Sequence, residues 1–289
     1  MDDDHRRSPG ALAVTRVLAF AKVNLSLAVL GRREDGYHEI DSIVQTIDLS
    51  DEIRIRVGGT RVRVTNDLTD LTGPDLAAVA AERVLREKRS TKGVRIEIAK
   101  GIPAGAGLGG GSSDAAVALA VVDRLVPPRL PGPVLVGIAA GIGSDVPIFL
   151  RGGRLRITGR GERLAPAGRP TGEVFVLLVP PIRCETPRVY RGWSDPGPRS
   201  SSQCAMGEND LLESALSAYP ALRRYHDRVK ELGATTSGMS GSGSAFYAVF
   251  RSRGEAEGAA EGLRVRFPEA RVFVCGATES GSRVVEGDE

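Results

Sequence analysis

Cysteine is scarce in this 289-residue chain, and the three present, Cys184, Cys204 and Cys275, are odd in number and far apart. That excludes a disulfide framework and a zinc site built on paired cysteines, and leaves ordinary reduced thiols. No apolar run is long enough to cross a bilayer. The N-terminal apolar residues follow an acidic start and are broken by Thr15-Arg16 and Lys22, so no export signal is expected, and residues 1 to 12 read as a tail. An excess of one charge sign is missing too. Net charge is +3 and the arginines are scattered, so the expected partner is a small molecule rather than nucleic acid or a membrane. A cytoplasmic protein fits this composition, and a monomer or weak homodimer is expected although the sequence does not give the oligomeric state. No internal repeat is visible.

Glycine is abundant: 36 residues, clustered in three places. The richest cluster lies in residues 93 to 124, GVRIEIAKGIPAGAGLGGGSSDAAVALAVVDR. Val94, Ile96 and Ile98 alternate with Arg95, Glu97 and Ala99, the period of a half-buried strand. Gly105, Gly107, Gly109, Gly110 and Gly111 follow. Ser112, Ser113 and Asp114 then stand where a helix needs an N-cap, ahead of the apolar AAVALAVVDRL. Glycines let backbone amides approach a ligand, and a helix N-terminus offers free N–H groups and a positive dipole end. The expectation is an anion site, most simply for phosphate.

Two familiar phosphate motifs are excluded by what the stretch lacks. Gly105 to Gly110 satisfy G-x-G-x-x-G, but no second strand with an acidic end follows; the chain is still helical at Asp123 and then meets Pro127-Pro128. The G-x-x-x-x-G-K-[ST] pattern fails because no lysine follows the glycines. A ligand-free turn of five glycines stays open as the structural alternative.

Elsewhere the chain gives a coarse order of elements. Residues 14 to 30 are β-prone, with Lys22 and Asn24 interrupting an apolar strand; Lys22 either reaches solvent at the strand end or is paired inside. A polar loop ends in Tyr37-His38, either structural or a ligand contact. IRIRV and RVRVT flank Gly58-Gly59-Thr60 and predict a hairpin. Residues 75 to 89 predict a helix, and a short apolar helix should end near Ala140 after a proline-rich break. Asp145 precedes VPIFL, expected as a strand, and is either a turn cap or a functional carboxylate. Residues 154 to 166 predict a strand pair and VFVLLVPP a buried strand. Helices divided at Pro220 span 210 to 232. A second glycine-serine loop, 236 to 244, leads into AFYAVF. Residues 255 to 266 predict a helix and ARVFVCGA a last strand, with SGSRVVEGDE a terminal tail. The sum is an α+β signature.

Three pieces, AKVNLSLAVLGRREDGYHEI, IPAGAGLGGGSSDAA and MSGSGSAF, resemble in order and spacing the GHMP kinases, and the resemblance runs from about residue 16 to about 277. It implies a two-domain fold: an N-terminal domain like domain 2 of ribosomal protein S5 over residues 1 to 165, and a ferredoxin-like C-terminal sandwich over 166 to 289. It implies ATP, with Mg²⁺, as phosphoryl donor. Pro103, Ala104, Gly105, Ala106, Gly107, Leu108, Gly109, Gly110, Gly111, Ser112 and Ser113 match the family's ATP phosphate loop. Asp145 matches a catalytic aspartate and Lys22 the lysine beside it. GRREDGYHEI, which holds Gly36-Tyr37-His38, is the most discriminating element, and the resemblance it carries implies an acceptor bearing cytidine diphosphate. Asn24, Tyr37 and His38 then match acceptor-binding positions. Tyr190 would stack on the pyrimidine opposite Tyr37, with Thr186 and Pro187 at the same pocket and Gly241 in the third motif beside it. No carboxylate cage for Mg²⁺ is apparent, and Ser112 or Ser113 is the expected contribution. The prolines from 125 to 140 depart from the family pattern on the nucleotide side, and the stretch 194 to 207 carries no role. A different acceptor within the family, or a metabolite-sensing binder without catalysis, remain the alternatives; retention of both Lys22 and Asp145 speaks against the second.

Overall fold

The computed structural model describes residues 14–67, 75–194 and 204–286. The segment read as an N-terminal tail lies outside these residues, as does most of the stretch assigned no role. Two sheets organise the described residues, one of seven strands and one of four.

The apolar N-terminal run forms β1, Thr15–Arg32, which pairs antiparallel with β2, His38–Val57. Strand alternation divides β1 functionally. Ala21, Val23 and Leu25 are buried in a small core shared with Phe175, Leu177 and Tyr247 of the second sheet. Lys22 and Asn24, one position out of phase, therefore project to the opposite face.

IRIRV and RVRVT do not form the expected hairpin. β3, Val62–Asn66, pairs parallel with β4, Val94–Ala99, and β4 pairs antiparallel with β2, so β4 lies between them. The glycines at 58 and 59 instead bond across to Gly93: Gly58 N–H donates to Gly93 O at 2.8 Å and Gly93 N–H to Gly59 O at 2.7 Å. The physical reason is burial. Val94, Ile96 and Ile98 are buried and belong in the sheet interior, whereas every residue of β3 is half-buried or exposed, as suits an edge. The parallel connection runs through α1, Leu76–Glu87, capped by Asp75, whose carboxylate accepts from Ala77 N at 2.8 Å and Ala78 N at 3.3 Å.

The glycine loop leads into α2, Gly110–Leu125, which packs with α1 on the sheet. Its N-cap is Gly109, with φ +76°; Ser112, Ser113 and Asp114 lie inside the helix rather than capping it. Next come α3, Gly132–Ile142, and α4, Val146–Arg151. VPIFL is thus helical, not a strand: Pro147 sits in the first turn, where its missing N–H costs nothing, and Gly152 ends the helix. β5, Arg154–Gly159, and β6, Arg163–Pro166, form the expected pair and extend the first sheet from β2.

β7, Val174–Val179, opens the second sheet. After it come α5, Thr186–Gly192; α6, Leu212–Ala218; a 3₁₀ turn at Pro220–Leu222; and α7, Arg223–Lys230. β8, Thr236–Met239, β9, Phe246–Phe250, α8, Arg253–Arg266, and β10, Arg271–Gly276, complete the unit, in strand order β10-β7-β9-β8. That is the ferredoxin-like arrangement. β10 is not the last strand. β11, Ser282–Glu286, pairs antiparallel with β1, and so half of the stretch read as a terminal tail is an edge strand of the first sheet. Pairing with β1 supplies the backbone partners that so short a strand lacks alone.

Candidate active site

A cavity of about 920 Å³ opens on the face of the first sheet that Lys22 and Asn24 occupy, bounded by the glycine loop, Asp145, α5 and the second glycine-serine loop. Its floor is set by Lys22. The Lys22 side chain is only 5% exposed, and its ammonium donates to Asn24 Oδ1 at 2.5 Å and lies 3.5 Å from Asp145 Oδ2. Asn24 in turn donates to Ser42 Oγ at 2.8 Å, so β1 and β2 fix both polar side chains. Of the two alternatives open for Lys22, solvent and pairing, the structure takes pairing.

Asp145 occupies the N-cap position of α4, but its carboxylate accepts no capping bond from that helix. Its side chain is 35% exposed and turns into the cavity beside Lys22. A carboxylate that does not serve its own helix, held next to a buried ammonium, is available to a ligand.

The glycine loop forms the adjoining wall through Gly107 and Gly109. Glycine is required at both. A Cβ on Gly109 would stand 2.7 Å from the Phe149 ring and 3.2 Å from Lys22 Cγ, and one on Gly107 would stand 2.2 Å from Ser240 O. The loop is thereby pressed against the lysine on one side and the second glycine-serine loop on the other. Ser240 locks this contact: its hydroxyl donates to Gly107 O at 2.9 Å and accepts from Asn24 N at 3.2 Å. The first backbone bond of α2 runs from Ser113 N to Gly109 O, so the amides of Gly110, Gly111 and Ser112 are its free donors, aligned with the dipole. Other loop members serve the core: Pro103, Ala106 and Leu108 are buried, and so is Ser113, whose hydroxyl has no partner. Ala104 and Gly105 are exposed at the rim. Of the two serines suggested for a metal, only Ser112 is accessible.

The opposite wall carries rings. His38 stacks on Tyr190 with centroids 4.8 Å apart and meets the Trp193 edge at 5.7 Å. Tyr37, 55% exposed, lies against Arg160 instead. Burial, with the nearby Arg32 charge, holds the His38 imidazole below its usual range and keeps it neutral. Burial, and then the Asp145 charge, pushes the Tyr190 phenol upward, which places the ring wall and the carboxylate within electrostatic reach. Thr186 bonds Ser242 at 2.8 Å, tying α5 to the second glycine-serine loop, and Pro187 and Gly241 complete this side. Lys22, Asn24, Tyr37, His38, Asp145, Thr186, Pro187, Tyr190 and Gly241 thus share one cavity.

The sequence did not single out Arg160, Trp193 or Ser240, since a lone arginine, a loop tryptophan and one serine among several carry no pattern. Nor did it show how the loop is moored. Lys100 bridges two buried carboxylates, Asp51 and Asp114, donating to Asp114 Oδ2 at 2.6 Å, and Asp51 Oδ1 accepts from Gly101 N at 2.7 Å and Ile102 N at 2.8 Å. Burial and then the Asp51 charge push the Asp114 carboxyl well above the usual range, while the two carboxylates raise Lys100 against the opposing effect of its burial.

Among the described residues no three acidic, histidine or cysteine side chains cluster as a metal cage. The Asp145 carboxylate and the Ser112 hydroxyl are too few to hold Mg²⁺ alone and fit one carried on nucleotide phosphates, which the row of amides would bind. No helix is long and apolar enough to cross a membrane among the described residues.

Comparison with known proteins agrees with this geometry. The GHMP kinase N-terminal domain matches residues 75–153 and the GHMP kinase C-terminal domain residues 200–269. A 4-diphosphocytidyl-2-C-methyl-D-erythritol kinase of Solibacter usitatus is 37% identical over 256 residues, 81% of each chain. One of Thermus thermophilus is 37% identical over 281 residues, covering 92% of this chain and 98% of that one. The crystal structure of a 4-(cytidine 5'-diphospho)-2C-methyl-D-erythritol kinase superposes with a TM-score of 0.74 at 36% identity, over 91% of this chain and 98% of that one. A homoserine kinase from Cytophaga hutchinsonii superposes with a TM-score of 0.76 over 96% and 99% of the two chains, but at 17% identity it shares the fold alone. With relatives this similar over most of both lengths, and both domains matched in order around the cavity, the chain belongs to the GHMP kinases.

Proposed function

We propose that the chain transfers the γ-phosphoryl group of ATP to the 2-hydroxyl of 4-(cytidine 5'-diphospho)-2-C-methyl-D-erythritol, a step of the non-mevalonate route to isoprenoid precursors. The observation that carries this is the Lys22–Asp145 pair, 3.5 Å apart, set between a helix N-terminus and a ring-lined pocket. The names of the relatives supply the acceptor.

The free amides of Gly110, Gly111 and Ser112 bind the donor phosphates, and Mg²⁺ held by those phosphates beside Ser112 would supply charge neutralisation. The rings of Tyr37, His38 and Tyr190 take the pyrimidine, and Asn24, Thr186 and Gly241 line the path to the reacting hydroxyl. Asp145 orients that hydroxyl and accepts its proton as the new O–P bond forms and the bond to the β–γ bridging oxygen breaks; ADP leaves, and Asp145 passes the proton to water. Lys22 stabilises the carboxylate and the charge on the transferring group. In a loose transition state such positioning and charge stabilisation supply most of the acceleration. Two domains meeting near residue 165, with β11 returning to the first, and a soluble cytoplasmic enzyme without nucleic-acid partners complete the proposal.

The test is ATP-dependent phosphorylation of the cytidine-linked substrate, with homoserine and mevalonate as controls. Phosphorylation of the first alone is expected. Turnover of a control in its place assigns a different acceptor, and binding without turnover assigns a sensor.

A further inference from the structure

Three arginines line the cavity, Arg32, Arg160 and Arg191. Arg32 and Arg191 are exposed, while Arg160 is half-buried in the turn between β5 and β6. Its guanidinium carbon lies 4.7 Å from the centroid of the Tyr37 ring, and among the described residues it forms no ion pair with a carboxylate. The Arg160 charge also reaches the Asp35 carboxylate from beyond ion-pair distance, and its close partner is the Tyr37 ring.

The turn that carries it is fixed from three sides. Arg160 N–H donates to Glu162 Oε2 at 2.7 Å, and Gly161 N–H to Thr158 O at 3.2 Å. Gly161 has φ +115°, and a Cβ there would stand 3.5 Å from Ser144 Cβ and 3.8 Å from Asp145 Oδ1. The turn thus rests on the segment bearing the reactive carboxylate. Tyr37 has a fixed backbone, with N–H to Asp35 Oδ1 at 3.1 Å and C=O accepting from Arg33 N at 2.8 Å, but its ring is mostly exposed. The Arg160 guanidinium lies against that ring.

We propose that Arg160 is a positioning residue for acceptor recognition: its cation covers one face of Tyr37 and holds the ring as a preset wall, leaving the other face to a planar base. The inference rests on the reading of a pyrimidine-bearing acceptor. It makes Tyr37 a wall only while Arg160 is present, and assigns selectivity for the base partly to a turn 120 residues away. A ring ordered before binding spends less affinity on its own immobilisation.

The test is a double-mutant cycle read by calorimetry with cytidine 5'-diphosphate and with cytidine as probes. Arg160→Met keeps the length and removes the charge, and Arg160→Lys keeps the charge. Arg160→Met should weaken both probes by about threefold to tenfold, Arg160→Lys by less, and neither should alter ATP affinity. In a Tyr37→Ala background Arg160→Met should have no further effect. Additive losses overturn the proposal, as does a loss confined to the diphosphate probe, which would make Arg160 a direct phosphate contact. Failure of the unmutated chain to bind either probe overturns it too. Phosphorylation of the cytidine-linked substrate is scored separately, so a chain that binds cytidine diphosphate but transfers no phosphoryl group rejects the kinase reading while the cycle still decides the role of Arg160.

Discussion

Asp145 and His38 are the two residues whose protonation matters most to the proposed chemistry. Asp145→Asn keeps the size and the hydrogen-bonding edge but cannot take a proton. Turnover should fall by about 10²- to 10⁴-fold, while affinity for a non-hydrolysable ATP analogue stays within a few fold, because the donor amides belong to α2 and not to α4. Undiminished turnover in that variant would remove Asp145 from the reaction. His38 makes a pH prediction. Its imidazole titrates below the ordinary value of 6.5, through burial and then Arg32. The pocket therefore favours the neutral ring, and protonation competes with acceptor binding. Acceptor KM should be flat above pH 6.5 and rise as pH falls through the lowered pKa of His38, with ATP KM unchanged. His38→Gln should abolish the rise; an unaltered pH profile in that variant would assign the titration to another group.

At the scale of elements, the mooring of the phosphate loop gives the sharpest expectation. Lys100 joins Asp51 on β2 to Asp114 on α2; both carboxylates are buried and the Lys100 side chain is 9% exposed. Lys100→Met leaves two carboxylates facing each other without a counter-ion, and loss of one partner from such a buried set costs about 3–5 kcal/mol. The sign with pH follows from Asp114. Its folded pKa is raised above the unfolded 3.8, so the folded state holds the proton longer, and that contribution is present below 3.8 and lost as pH rises through the folded value. The variant should therefore lose more stability at pH 8 than at pH 5 in urea unfolding. An equal loss at both would mean that Asp114 carries no excess proton. Lys100 also shows where the sequence stops being legible. Its partners lie 49 and 14 residues away, and no local period links them. By contrast, the interruption of an apolar strand by Lys22 was visible, because burying a lysine demands a partner. Alternation gave β4, and apolar β-prone runs gave β1 and β7, yet neither signal can say which strand lies beside which, and the supposed hairpin at Gly58-Gly59 failed because β4 offered a better-buried neighbour. VPIFL failed differently: a short apolar run has no period, and only Pro147 and the terminal Gly152 argued for a helix.

Taken whole, the molecule closes on itself through the segment least expected to matter. Thr278 to Gly281 lie between the two sheets' final strands and bind the first sheet tightly. Thr278 N–H donates to Thr46 O at 2.9 Å, Gln45 Nε2 to Thr278 O at 2.8 Å, Thr46 Oγ1 to Ser280 O at 3.0 Å, and Phe20 N–H to Gly281 O at 3.0 Å. The backbones nearly touch as well. A Cβ on Gly281 would stand 1.9 Å from Phe149 O, and one on Gly152 2.0 Å from Gly281 N. Phe149 and Gly152 sit at the end of α4, the helix whose other end is Asp145. The C-terminal segment is thus a buttress behind the reactive carboxylate, and β11 clamps it there by pairing with β1, the strand of Lys22. Truncation after Ala277 removes the four bonds together with β11. At about 1 kcal/mol each the bonds account for roughly 4 kcal/mol, a fall in Tm on the order of 10 °C for a chain of this size. Because α4 loses its backing while the amides of α2 keep theirs, kcat should drop more than affinity for the ATP analogue. Calorimetric melting and the coupled kinase assay on the truncated chain measure both quantities. A truncated chain that melts at the same temperature with unchanged kcat would show that Asp145 is held from the cavity side alone.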